Sequence, residues 1–293
     1  MGPTSSGKSA LAVALARKFN GEVISADSRQ VYKGLDIGTG KITPREMKGI
    51  PHHLLDVASA KRSFSADDFV RLAHAQVKRI SARGALPIVA GGTGFYIDAL
   101  VGRVVLPNVA PDHSLRARLE KNSAARLFAL LRKRDPERAK SLSSPSERNN
   151  KVRLIRALEI TRALGHVPYR DLRNPDIDVL WIGIAPPIKK LEKKISARLR
   201  ARIKQGMIAE AKRLHAAGLS YKRMEALGLE YRSLARLLQG KITRRQMMEE
   251  LNRAIRKYAK RQITYWKRNK DIKWFNPRQR RLIERSARNW LKH

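Results

Sequence analysis

Residues Gly2-Pro3-Thr4-Ser5-Ser6-Gly7-Lys8-Ser9 spell GxxxxGKS, a phosphate-binding loop, and no other stretch constrains the fold as tightly. Such a loop turns successive backbone N–H groups toward one point, where only an anion satisfies them. The helix expected from Lys8 to Phe19, with Ala, Leu and Val on one side, adds its positive dipole end to the same point. Lys8 is placed to reach terminal phosphate oxygens, and the Ser9 hydroxyl to take Mg²⁺. A loop of this kind follows a buried strand of about five to six apolar residues. Only Met1 precedes Gly2. The expectation is therefore a native start upstream or a fragment, and a sheet that tolerates the loss of a central strand poorly.

The chain of 293 residues has room for one large or two modest domains, and its 42% apolar content supports a buried core. Its 63 Lys and Arg against 25 Asp and Glu give a formal charge of +38. A field of that size attracts a polyanion, with nucleic acid as the expected partner. A membrane is not expected, because no apolar run approaches the ~18–20 residues of a spanning helix and no signal peptide is visible. The absence of cysteine excludes disulfides and thiolate zinc sites, and is consistent with a cytoplasmic setting.

Strand-like and helix-like segments alternate through the first hundred residues. Glu22–Ala26 reads as a strand ending at Asp27, and Ser65-Ala-Asp-Asp68 as a capping box opening a helix to about Ala82, before Gly84. Leu86–Ala90 reads as a strand running into Gly91-Gly92-Thr93-Gly94 and an apolar helix, Phe95–Leu100. This rhythm predicts a parallel sheet with ligands at the carboxyl ends of its strands. Residues 112–165 are charged and helical in period, whereas Asp178–Ala185 returns to strand and the remainder is helical and basic. The fold class expected is α/β. A P-loop NTPase-like parallel core (residues 1–110 and 176–293, with basic C-terminal helices) is interrupted by a helical insertion domain (111–175).

Asp27 closes the strand after the phosphate-loop helix, so its carboxylate is a candidate base or Mg²⁺ ligand; its alternative role is to cap a turn with Ser28. Asp36 is a more distant candidate. Thr93 offers a hydroxyl on a glycine turn whose bare backbone permits close approach of a substrate. His52 and His53 lack further metal ligands and read as structural. Arg153 and Arg156 share a helix face. Basic stripes at Arg198, Arg202 and Arg256–Gln262, interleaved with Tyr258, Tyr265 and Trp266, suit RNA.

Several motifs occur in order: GPTSSGKS, Asp27-Ser-Arg-Gln-Val-Tyr32, Asp36-Ile-Gly-Thr39, Pro51-His-His-Leu-Leu-Asp56, Phe64-Ser-Ala-Asp-Asp-Phe69, Gly91-Gly-Thr93, Arg156-Ala-Leu-Glu159 and Ala259-Lys-Arg-Gln-Ile-Thr264. Together they resemble the tRNA dimethylallyltransferases, bacterial type, over nearly the whole chain. The resemblance implies transfer of a dimethylallyl group from its diphosphate to N6 of adenosine 37 in the anticodon loop, with Mg²⁺ and release of pyrophosphate. It implies Asp27 as general base, with Thr4 and Arg198 also catalytic, and Arg198 holding pyrophosphate. Diphosphate is implied on Gly2, Pro3, Thr4, Ser5, Ser6, Gly7, Lys8 and Ser9, and the metal on Ser9. The tRNA contacts implied are Asp27, Ser28, Arg29, Gln30, Thr93, Arg116, Val152, Arg153, Leu154, Ile155, Arg156, Lys260, Arg261 and Gln262, with Met224–Arg232 a looser match. Partners are tRNA and dimethylallyl diphosphate, without a membrane, for a cytoplasmic monomer. A P-loop kinase and a non-catalytic RNA-binding protein are the rival readings.

Overall fold

The computed structural model describes residues 1–168 and 177–292. The chain forms two compact units, one of residues 1–101 and 175–293, the other of residues 102–174. In the first unit, α1 (Lys8–Lys18) starts at Gly7, whose φ of +96° belongs to the left-handed region that glycine enters without a steric cost. Then come β1 (Gly21–Ala26), α2 (Pro44–Met47), β2 (His52–His53) and α3 (Ala66–Ala82). Helix α3 opens at the expected box: Ser65 accepts from the Asp68 N–H while Asp68 accepts from the Ser65 N–H. After it come β3 (Leu86–Gly91) and α4 (Gly94–Leu100). The three strands form a parallel sheet in the order β2-β1-β3, with Val23 opposite His52 and Ile88. This α/β core was expected from the alternation of elements; the two-residue β2 was not.

The second unit holds α5 (His113–Glu120), α6 (Ala124–Arg134), α7 (Pro136–Ser141), α8 (Pro145–Arg148) and α9 (Lys151–Leu164). Each is capped by a side-chain oxygen just ahead of it, from Asp112, Ser123, Asp135, Ser144 and Asn150 in turn. Caps like these satisfy N–H groups that the first helical turn leaves unpaired. Leu127, Leu131 and Leu154 make the unit's own core, and its described residues include no strand.

The first unit resumes with β4 (Ile182–Ile184), shorter than the expected 178–185, and then α10 (Ile188–Lys204), α11 (Met207–Ala216), α12 (Tyr221–Leu227), α13 (Leu229–Leu238), α14 (Arg244–Trp266), β5 (Lys273–Phe275) and α15 (Arg280–Trp290). β5, which carried no strand signal in the sequence, pairs in parallel with β4. Among the described residues no helix is long and apolar enough to cross a membrane.

The two sheets stay separate. Residues 86–90 of β3 and 180–182 near β4 line one slot of about 470 Å³, together with Leu15 and Leu100. Met1 sits at its end: its ammonium donates to the Ile182 carbonyl (2.7 Å) and its carbonyl accepts from the Ile184 N–H (2.9 Å). Burial, assisted by Lys8, pushes that ammonium down to about 5. The slot has the lining that one more parallel strand requires. Extending the chain ahead of Met1 by five Val and Ile residues is therefore expected to raise Tm by roughly 10 °C, at about 2–4 °C per kcal/mol recovered. A Gly-Ser extension of equal length should leave it unchanged, and calorimetry giving the same Tm for both extensions would refute a strand-accepting slot.

Candidate active site at the phosphate loop

The loop of residues 2–9 bends through Ser5 at φ +61° and Gly7 at φ +96°. Ser6 donates its N–H to the Pro3 carbonyl at 3.2 Å, and the Thr4 N–H goes to Gln262 Oε1 at 2.8 Å. The N–H groups of Ser5, Gly7, Lys8 and Ser9 have no acceptor among the described residues. They form an anion cradle at the N-terminus of α1. The Ser6 hydroxyl is buried and lies 3.0 Å from where a Cβ on Gly2 would stand, so it faces into the protein. Of the loop residues expected on the ligand, Ser6 therefore brings no side-chain group.

A cleft of about 50 Å³ beside the loop is lined by Thr4, Lys8, Ser9, Asp27, Thr39 and Arg198. It is much smaller than the apolar slot behind the sheet, yet it is the one that gathers the polar groups. Lys8 donates to the Pro3 carbonyl at 3.2 Å. Burial pushes its ammonium down to about 8, with Asp27 opposing and Arg198 adding to the shift. Arg198 donates to the Gly40 carbonyl at 2.8 Å.

Asp27 caps its turn, the alternative role that its sequence position allowed. Oδ1 accepts from the Arg29 N–H at 2.9 Å and the Gln30 N–H at 3.4 Å, which closes the turn. Oδ2 has no hydrogen-bond partner among the described residues, and Asp27 lines the cleft. Thr93 Oγ1 accepts from the Ser28 N–H at 3.0 Å, so Thr93 fixes the turn that carries Asp27. Asp36 is tied to Lys41 at 2.6 Å, and the same lysine also holds Asp56; Asp36 is exposed and does not line the cleft.

Glu210, 2% exposed, supports the far wall of the cleft. It accepts from the N–H groups of Asp36 (3.0 Å), Ile37 (2.7 Å) and Gly38 (2.9 Å) and from the Tyr231 hydroxyl (2.7 Å). Arg202 adds a bond to the Gly38 carbonyl at 2.7 Å. The segment Met224–Arg232, expected near tRNA, is thus partly structural: Met224, Leu227 and Tyr231 are buried. An acid inside the apolar run Met207-Ile-Ala-Glu-Ala211 was the available signal for Glu210.

The glycine turn does not serve the purpose the sequence suggested. A Cβ on Gly92 would stand 2.2 Å from Gln262 Nε2, one on Gly94 2.2 Å from the Tyr265 ring, and one on Gly91 2.0 Å from the Ala26 carbonyl. The bare backbone therefore admits the protein's own α14 and β1. Along α14, Met247, Leu251, Ile255, Ala259, Gln262 and Trp266 are buried at spacings of four, four, four, three and four, one helical face. Trp266, expected to stack on RNA, is wholly buried beside Trp181. The neighbouring Lys260 and Arg261 are exposed. Tyr265 donates to Asp98 at 2.5 Å and carries the Arg268 guanidinium 4.4 Å from its ring centre.

In the second unit, Glu159 is 2% exposed and accepts from Arg116 at 2.8 and 2.7 Å, from the Asp112 N–H at 2.7 Å and from Arg156. Burial alone would raise its carboxyl; the hydrogen bonds from Arg116 and Arg156 outweigh that and hold it at about 2. Two arginines expected on tRNA thus neutralise a buried acid. Leu154 and Ile155 are 0% and 4% exposed, which leaves these two no side-chain surface for RNA. Val152 is exposed, and Arg153 pairs with Glu147 at 2.7 Å. His52 and His53 are structural as expected, bonded to the Ile50 carbonyl and to Glu22.

A parallel α/β sheet with a phosphate-loop motif ahead of its first helix places the chain in the P-loop NTPase-like α/β class. The family model for IPP transferases matches residues 30–269, and the chain belongs to that family. It is 42% identical over 268 residues to tRNA dimethylallyltransferase 2 of Citrifermentans bemidjiense, covering 92% of this chain and 85% of that one. It is 37% identical over 296 residues to the tRNA dimethylallyltransferase of Anoxybacillus flavithermus, with coverages of 99% and 93%. Among solved structures it is similar to the full-length tRNA isopentenylpyrophosphate transferase of Bacillus halodurans, at TM-score 0.74 and 34% identity over 99% of this chain and 95% of that one. A eukaryotic dimethylallyltransferase acting on tRNA matches at TM-score 0.77 and 26% identity, over 94% and 72%.

Two outcomes follow from this geometry. An anion on the loop favours charged Lys8, so binding above about pH 8 takes up a proton and affinity for pyrophosphate falls as pH rises from about 7 to 9.5. Titration calorimetry in buffers of different ionisation enthalpy measures this, and Lys8→Arg, which stays charged, should flatten the profile; a flat wild-type profile would contradict it. Glu210→Ala strands one buried and two part-buried N–H groups and should lower stability by about 3 kcal/mol, whereas Tyr231→Phe should cost about 1 kcal/mol, both read by urea unfolding.

Proposed function

We propose that this protein transfers a dimethylallyl group from dimethylallyl diphosphate to N6 of adenosine 37 in the anticodon loop of tRNA. Family membership supports prenyl transfer to tRNA. The observation that carries the residue roles is the Asp27 carboxylate in one cleft with the phosphate-loop lysine and Arg198. The allylic C–O bond breaks, and its electron pair leaves with pyrophosphate. Negative charge growing there meets the N–H groups of Ser5, Gly7, Lys8 and Ser9, the Lys8 ammonium and the Arg198 guanidinium, donors fixed before the reaction starts. The adenine amine is a poor nucleophile, because its lone pair is delocalised into the ring. Its attack on carbon becomes productive as its proton passes to Asp27 Oδ2. Oδ1, held by two backbone N–H groups, keeps the carboxylate in place.

Mg²⁺ fits the donor chemistry of the cleft. The Ser9 hydroxyl is a hard oxygen ligand, and Mg²⁺ is commonly held by one or two protein groups plus substrate phosphates and water. Among the described residues no group of three His, Cys, Asp or Glu forms a dedicated cage. Bound there, Mg²⁺ would neutralise charge on the leaving diphosphate. The RNA approaches as a polyanion. The exposed Arg253, Lys257, Lys260 and Arg261 on α14, with Lys267 and Arg268 just past its end, supply phosphate contacts that salt weakens. The target base must leave its stack to reach the carboxylate, and an unpaired loop makes that inexpensive.

Incubation with dimethylallyl diphosphate, Mg²⁺ and an anticodon stem-loop, followed by mass spectrometry of the RNA, tests the reaction; RNA of unchanged mass would defeat the proposal. Asp27→Ala should lower kcat about 10²–10⁴-fold with most of the stem-loop affinity retained. Full turnover in that variant would remove Asp27 as the base.

A further inference from the structure

We propose that Gln262 is a positioning residue for the diphosphate, acting through the phosphate loop and not through contact with RNA. The inference rests on the proposed reading of that loop as the diphosphate site. Gln262 projects from α14 and is 6% exposed. Its Oε1 accepts from the Thr4 N–H at 2.8 Å, and its Nε2 donates to the Gly92 carbonyl at 2.8 Å. A backbone N–H only donates and a carbonyl only accepts, so these partners fix which end of the amide is which.

The two bonds join three separate segments, the phosphate loop, the turn after β3 and α14. Neither bond helps α14 form. Gly92 is shaped to receive the amide, since any Cβ there would lie 2.2 Å from Nε2. Lys260 and Arg261, two residues and one residue earlier, are exposed. Successive residues of a helix point about 100° apart, so the run Lys260-Arg261-Gln262 divides, with two cations facing outward and one amide facing the loop.

Thr4 occupies the turn that aims the rest of the loop. With its N–H tied to α14, the free N–H groups of Ser5, Gly7, Lys8 and Ser9 are held in one arrangement before an anion arrives. A site ordered in advance loses less conformational freedom on binding. Removing the tie should weaken diphosphate binding and leave the outer, basic face of α14 as it was.

The test uses the full chain with inorganic pyrophosphate and an anticodon stem-loop as probes, in calorimetry and filter binding. Gln262→Met keeps the length and loses both polar atoms. It should weaken pyrophosphate and raise KM for dimethylallyl diphosphate about tenfold, with stem-loop affinity close to wild type and Tm lowered somewhat by the two backbone groups it leaves unpaired. Gln262→Glu keeps an acceptor for Thr4, and when protonated it regains a donor for Gly92. Its pyrophosphate affinity relative to wild type should recover as pH falls toward about 5, a response that a merely packed side chain would not give. If the Met variant does not fold, the Glu variant carries the test alone. Weakened stem-loop binding with unchanged pyrophosphate binding would overturn the proposal in favour of an RNA contact. Equal losses for both probes with a lowered Tm would reduce Gln262 to packing. Failure of the wild-type protein to bind pyrophosphate would overturn the diphosphate-site reading itself, whereas wild-type binding matched by both variants would overturn only the role of Gln262.

Discussion

Four backbone N–H groups without an acceptor among the described residues, those of Ser5, Gly7, Lys8 and Ser9, set the terms for the rest of this fold. A protein that keeps donors unpaired must hold their segment by other means. Here the loop is held at each end. Met1 lies against β4, and Thr4 is tied to α14 through Gln262. The opposite wall is held by Glu210, a buried acid that collects three amides of residues 36–38. Asp27 stands between these walls on a turn closed by its own Oδ1 and by Thr93.

The surplus of positive charge makes carboxylates scarce, and the described structure places several of them with care. Glu210 organises a loop, and Glu159 neutralises two arginines in the helical unit. Glu22 joins β1 to His53 and Arg83. Most of the cations are left in solvent, where their combined field attracts a polyanion over distances that no single pair spans. The small cleft gathers Lys8, Asp27 and Arg198, and the surface supplies attraction.

Much of the α/β core was legible in the sequence because its signals are local. Gly7 marks the start of α1, the Ser65–Asp68 pair the start of α3, and apolar runs mark β1 and β3. β2 and β5 escaped notice because each owes its strand geometry to its pairing partner more than to its own residues. The cleft was legible to the extent that motif and strand end met, at Lys8, Ser9 and Asp27. Glu210 and Gln262 were harder. Their backbone partners lie more than 150 residues away, and a polar residue on a buried helical face shows only that something there must be satisfied. Trp266 was assigned to RNA on residue type, although its four-residue spacing from Gln262 placed it in the core.

The turn Gly91–Gly94 carries a practical consequence for altering what this protein accepts. Its glycines are spoken for by Gln262, Tyr265 and the Ala26 carbonyl. Randomising that turn would disturb the seating of a helix long before it tuned selectivity. Varying the cleft itself belongs at Ile42, which lines it; Thr39 beside it donates its hydroxyl to the Leu35 carbonyl at 2.6 Å and so holds its own loop.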